Sequence, residues 1–170
     1  MTQLIDLMVE DEGWLDALPS LKDVAEQAAQ LALRAAGLSL ATRSISILAC
    51  DDARIAMLNN EFRDKPRPTN VLSWPAFDLT PSAPGEAPLA PPEHNTPGPQ
   101  PLGDVAIALQ TCQQEAETAA KPLNFHVMHL ILHGCLHLLG YDHETPEDAV
   151  LMEGMESRAL VGAGFPDPYV

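Results

Sequence analysis

The chain has 170 residues, 46% of them hydrophobic, and a formal net charge of −15, enough apolar material for one folded domain with its own core. That charge excludes a protein that grips nucleic acid through an overall basic surface, so an anionic substrate has to be held locally. No stretch reaches the ~18 consecutive apolar residues of a membrane helix. The opening MTQLIDLMVEDEGW has no basic leader, and the three cysteines, Cys50, Cys112 and Cys135, show no CxxC spacing. These features predict a cytoplasmic protein with no membrane partner, whose thiols are reduced and buried, with neither a disulfide framework nor a cysteine metal site.

In chain order, residues 3 to 9 suit a first strand, apolar and flanked by acids. Val24, Ala28, Leu31, Ala32 and Ala35 recur at three and four, predicting an amphipathic helix from about Leu21 to Ala36 with Ser20 as N-cap and Gly37 as stop. SISILAC at 44 to 50 reads as a core strand, after which Asp51 or Asp52 caps a helix carrying Ile55, Leu58 and Phe62. Lys65, Pro66, Arg67 and Pro68 end that helix, and with Arg54 and Arg63 they form the one basic cluster of the sequence. A short strand follows from Asn70 to Trp74. Eight of the sixteen prolines then fall between Pro81 and Pro101, predicting an exposed, irregular insertion at about 78 to 101. Gly103 to Leu109 resumes strand character and Gln110 to Ala120 is helical, with Pro122 as punctuation. Two helices, about 123 to 139 and 146 to 162, flank GYDHET. The order βαβαββααα predicts an α+β fold: a small mixed four-stranded sheet packed with about five helices.

The chemistry sits in LHGCLHLLGYDH. His133 and His137, at i and i+4 on a helix, place their Cβ atoms about 5 to 6 Å apart on one face. Tetrahedral zinc asks for ligand nitrogens roughly 3.3 Å apart, which two converging imidazoles supply. An unbroken helix would carry position 143 about 240° round and ~9 Å along, so the chain must turn, and Gly140 is the residue that can take a left-handed conformation there. His143 then returns to the metal, giving a three-histidine site on a helix and the following turn. The spacing matches a zinc-protease signature except that Gly134 stands where those enzymes carry their general-base Glu, which demotes a peptidase mechanism. His126 and His129 read as packing or outer hydrogen-bonding partners rather than ligands, and His94 as solvated.

Around this motif the sequence resembles the YbeY family of single-strand-directed endoribonucleases and ribosomal-RNA maturation factors. The resemblance runs through NNEFRDKPRPTNVLSWP at 59 to 75, LGDVAIA at 102 to 108, HGCLHLLGYDH at 133 to 143, the Met152 and Glu156 spacing, and FPDPY at 165 to 169. Two positions depart from the family pattern, Asn70 for a common Asp and Trp74 for Phe, and the Pro-rich insertion is longer than usual. The resemblance implies a single domain over 1 to 170, one Zn2+ per chain held by His133, His137 and His143, and a catalytic site made by His133 with Arg63. It implies that Arg63 holds a phosphodiester, that Lys65 and Arg67 are weaker candidates for backbone contact, and that Asp104 and Asp142 serve as outer carboxylates or as turn caps.

The activity so implied is zinc-dependent cleavage of single-stranded RNA, not DNA, in ribosomal RNA maturation. The alternatives are an assembly factor with a structural zinc, docking on the small ribosomal subunit or its maturation proteins, and a zinc peptidase-like hydrolase. The acidic charge suits the assembly factor, since basic ribosomal proteins complement it.

Overall fold

The computed structural model describes residues 4–170. Four strands, β1 (Ile5–Val9), β2 (Arg43–Cys50), β3 (Val71–Pro75) and β4 (Gln100–Ala108), form one sheet in the order β1-β2-β4-β3. β1, β2 and β4 run parallel, and β3 closes the edge antiparallel to β4. Six helices accompany them: α1 (Gly13–Ala17), α2 (Leu21–Ala35), α3 (Asp52–Arg63), α4 (Leu109–Thr118), α5 (Leu123–Leu138) and α6 (Pro146–Gly162). The fold is α+β with a mixed four-stranded sheet, as the pattern of elements predicts. The first residue of the expected opening strand, Gln3, lies outside the described residues.

Successive side chains of the two central strands go to opposite faces. Ile45, Ile47, Val105 and Ile107 join the main core beneath α2 and α5, whereas Cys50, Ala106 and Ala108 pack with Ile55 of α3 on the other side. α5 is the central helix. Val127, Met128, Ile131, Leu132, Cys135 and Leu136 are all at most 1% exposed and cover about half of its circumference, a broad apolar face packed into the core. Each such side chain contributes roughly 1.5 to 3 kcal/mol by leaving water, so the platform carrying His133 and His137 is rigid.

Two local readings change, and the choice between Asp51 and Asp52 as a cap is resolved. The one-turn α1 is too short for a periodic signal; it is fixed instead by Trp14, fully buried, whose indole N–H donates to the Cys50 carbonyl at 2.8 Å. Asp51, not Asp52, caps α3 by accepting the Arg54 N–H, while Asp52 accepts from Thr111 of α4. β4 begins at Gln100 rather than Gly103, because Gln100 and Pro101 already pair with Arg43 and Ser44.

Residues 76–99 contain no helix or strand, yet they are not a loose solvated linker. Leu79 is buried, the Leu89 N–H donates to the Leu79 carbonyl, and the Gly85 N–H donates to Asp148 at the start of α6. The insertion is irregular backbone pinned by specific hydrogen bonds, and it lies against the turn that follows α5. His94 stays within it, bonded through Nε2 to the Gly98 carbonyl.

Candidate metal centre

α5 ends in a Schellman turn. The Gly140 N–H reaches the His137 carbonyl and the Tyr141 N–H reaches the Leu136 carbonyl, both at 3.1 Å, with Gly140 at φ +96°. A Cβ at Gly140 would lie 2.7 Å from the Leu79 carbonyl oxygen and 2.7 Å from Pro88 Cβ, so both the turn and the insertion packed on it require glycine. The reversal carries His143 back toward α5. One nitrogen each from His133, His137 and His143 then lie within 4.8 Å of one another.

The remaining ring nitrogens define what this cluster can do. His137 Nδ1–H donates to the Tyr141 carbonyl at 2.9 Å, an acceptor only, and His133 Nδ1–H donates to Glu156 Oε1 at 2.6 Å. A ring whose proton sits on Nδ1 carries its lone pair at Nε2, and the Nε2 atoms of His133 and His137 face each other 3.0 Å apart. Two lone pairs at that distance repel unless a cation lies between them, and the separation is close to that of adjacent nitrogens on tetrahedral zinc. Burial, with His133 close by, pushes the His137 pKa down to about 4, which leaves its ring unprotonated near neutral pH. The donor set fits a divalent metal: three imidazoles converge, two of them held in the ligating tautomer by their second nitrogens.

Glu156 is fully buried, and a lone carboxylate in that position would be costly. Burial opposes its ionisation, yet hydrogen bonds from His129, His133 and Tyr169 outweigh that and hold its pKa down at about 2. The hydroxyl of Tyr169 donates to Oε2, and burial together with this carboxylate raises the phenol's own pKa, so it remains a donor. His129 is accordingly an outer partner, 3.5 Å from Glu156 Oε1. Sequence reasoning assigned no role to Glu156 or Tyr169. One signal was available: Met152, Glu156 and Leu160 recur every four residues on α6, which places a glutamate in a buried stripe.

A cavity of about 530 Å³ opens beside the cluster, lined by His137, His143, Arg63, Ser73, Asp78 and Tyr141 among others. Arg63 is the last residue of α3, and among the described residues it makes no ion pair with Glu61, Asp64 or any other acid. Its guanidinium is therefore available to a ligand in the cavity that His137 and His143 share. Lys65 and Arg67 are exposed in the following loop. Asp142 caps the His143 N–H at 2.8 Å and lies 4.0 Å from His137 Nδ1. Asp104 belongs elsewhere, in a groove on the α3 face of the sheet beside Trp74 and Phe62. His126 is occupied by Glu115, at 2.9 Å.

Gly134 explains the missing carboxylate. It packs on the sheet, where a Cβ would lie 3.0 Å from Val105 Cγ1, 3.2 Å from Ser73 Oγ and 3.3 Å from Val71 Cγ2, and its carbonyl accepts from Ser73. A glutamate there would be pressed into β3 and β4.

The family described as Endoribonuclease YbeY matches residues 10–164. Curated proteins named Endoribonuclease YbeY are 56% identical over 165 residues in Ruegeria pomeroyi, covering 97% of both chains. The one in Cereibacter sphaeroides is 49% identical over 170 residues, covering 99% of this chain and all of the other. The chain belongs to the YbeY family. A solution structure of a Thermotoga maritima protein shares the fold, with TM-score 0.52 and 18% identity over 95% of this chain and 92% of that one. Within the YbeY pattern, the Asn70 departure has a local cause. Asn70 Nδ2 donates to Glu115 at 3.0 Å, where a second carboxylate would repel the first. At the other departure, Trp74 meets Phe62 edge to face at 5.4 Å.

Proposed function

We propose that this chain is a zinc-dependent endoribonuclease of the cytoplasm that cleaves single-stranded RNA during maturation of ribosomal RNA. The observation that carries the reading is the convergence of His133, His137 and His143 beside a cavity that His137, His143 and Arg63 all line. A bound divalent cation supplies Lewis acidity toward a phosphate oxygen and toward water. The protein's own part is positional. Glu156 and the Tyr141 carbonyl hold the rings of His133 and His137 so that each offers Nε2. Arg63 supplies a planar, permanently charged fork that pairs with the phosphodiester and with the charge growing on it as the bond breaks. The cavity side of the site is open, with His143 exposed, which suits a catalytic rather than a purely structural metal. The tight packing of Gly134 argues against a peptidase. The family name of the relatives supports RNA as substrate, and we take the small ribosomal subunit or its maturation proteins as partners. The net charge of −15 makes contact with basic ribosomal proteins the natural way to deliver an acidic enzyme to its RNA.

Zinc-loaded protein should cleave an end-labelled single-stranded RNA and spare the corresponding duplex and single-stranded DNA, with all cleavage lost on chelation and in His137→Ala. Cleavage that persists in the histidine variant would assign the activity to a contaminant and remove the basis of the proposal.

A further inference from the structure

The segment that follows α6, residues 163 to 170, is attached back onto the histidine cluster by a series of contacts. Phe165 stacks on Phe125 of α5 with centroids 5.8 Å apart. Asp167 Oδ1 accepts from Ser157 Oγ at 2.8 Å and from the Tyr169 backbone N–H at 3.0 Å, bending the chain toward α5. The Tyr169 ring then stands edge-on to His129 at 5.5 Å, and its hydroxyl donates to Glu156 Oε2. The other oxygen of the same carboxylate takes the His133 Nδ1–H. One buried side chain thus joins the end of this segment to a ring of the histidine cluster.

We propose that Tyr169 and Glu156 form a positioning pair through which the segment after α6 sets the metal affinity of His133, an inference that rests on the three-imidazole reading of the site. The physical reason is rotational. A carboxylate turns easily about its last torsion, and with only His133 and the more distant His129 on Oε1, nothing on Oε2 would stop the group from turning and letting the His133 ring tilt. Donors on both oxygens leave one orientation, and that orientation aims His133 Nε2 at His137 Nε2. Removing the phenolic hydroxyl also leaves a buried carboxylate oxygen short of a donor, which favours rearrangement over the aligned state. Outer partners of metal-bound histidines commonly change affinity by about 10- to 100-fold when removed.

The test compares full-length wild type with Tyr169→Phe, which deletes one oxygen and keeps the ring. Zinc affinity is read by competition with a chromophoric chelator. Thermal melts of the metal-free proteins report folding, and the proton resonance of the His133 Nδ1–H reports the hydrogen bond. The pair predicts roughly tenfold weaker zinc binding, a shifted or exchange-broadened Nδ1–H signal, and a metal-free protein that still melts in one cooperative transition, lowered by the unsatisfied carboxylate oxygen. Glu156→Gln, which loses the negative charge as well, should weaken zinc further. Unchanged affinity and an unchanged Nδ1–H signal in Tyr169→Phe would overturn the positioning role while leaving the three-imidazole site standing. Failure of the wild type itself to bind zinc would overturn both.

Discussion

His133 and His143 meet the same small volume from two unlike surroundings. Behind His133 lies a fully buried carboxylate, with the half-exposed Tyr169 and the partly buried His129 completing a hydrogen-bonded network between α5, α6 and the segment after α6. Around His143 lies an open cavity of about 530 Å³, walled by the Pro-rich insertion and by Arg63. The carboxylate side fixes ring orientation at the cost of burying a charge. The cavity side has open space lined by a guanidinium that makes no ion pair among the described residues. On the proposed function, affinity for the metal and handling of the substrate therefore fall to different residues, and each should be changeable without the other.

The largest separation is expected on the cavity side. Arg63→Ala should lower RNA cleavage by about 10²- to 10³-fold, the usual loss for one charge-stabilising donor, while zinc content and melting temperature stay near wild type because Arg63 is exposed at a helix end. Parallel loss of zinc would mean that the two sides are not independent.

Next comes the acid response of the metal-free protein, which both sides share. The His137 pKa is about 4 in the fold against 6.5 as its ordinary value, so between those limits the unfolded chain carries the extra proton. Stability from this group is complete above pH ~6.5 and is lost as pH falls toward 4, by on the order of 3 kcal/mol. Glu156, at about 2 against 4.5, extends the loss below pH 4.5. Melts of chelator-treated protein from pH 7 to 4 should show a steady decline, and a flat profile would contradict the burial argument.

A smaller effect is expected at the joint between the two sides. Gly140→Ala forces a Cβ into the Leu79 carbonyl and Pro88 at an unfavourable φ, and should cost about 1 to 3 kcal/mol. Because the insertion rests on this turn, limited proteolysis should cut between residues 80 and 99 faster in the variant than in wild type. Equal cleavage rates would show that the packing of Leu79 and Pro88 does not hold the insertion down.

The legible parts of the molecule were those with local causes. Histidines at i and i+4, a glycine that can adopt positive φ, and an aspartate at a helix start act over a single turn, so α3, α5 and the three clustered histidines follow from spacing alone. Helix α1 escaped notice because five residues carry no period, and its anchor, Trp14 on the Cys50 carbonyl, is a contact across 36 positions. The start of β4 was placed three residues late because Pro101 suggests a break, whereas pairing with β2 decides it. Glu156 and Tyr169 depend on folding between α5, α6 and the following segment, and nothing adjacent in the chain specifies that contact. The insertion looked unstructured because its composition cannot make a core; its order comes from a few hydrogen bonds to Asp148 and within itself.

The most direct measurement is zinc stoichiometry after loading and exhaustive dialysis, for wild type and for His137→Ala. One zinc per wild-type chain and almost none in the folded variant is the predicted result. Equal retention of zinc by both proteins, or none by either, would contradict a site built from the lone pairs of His133, His137 and His143.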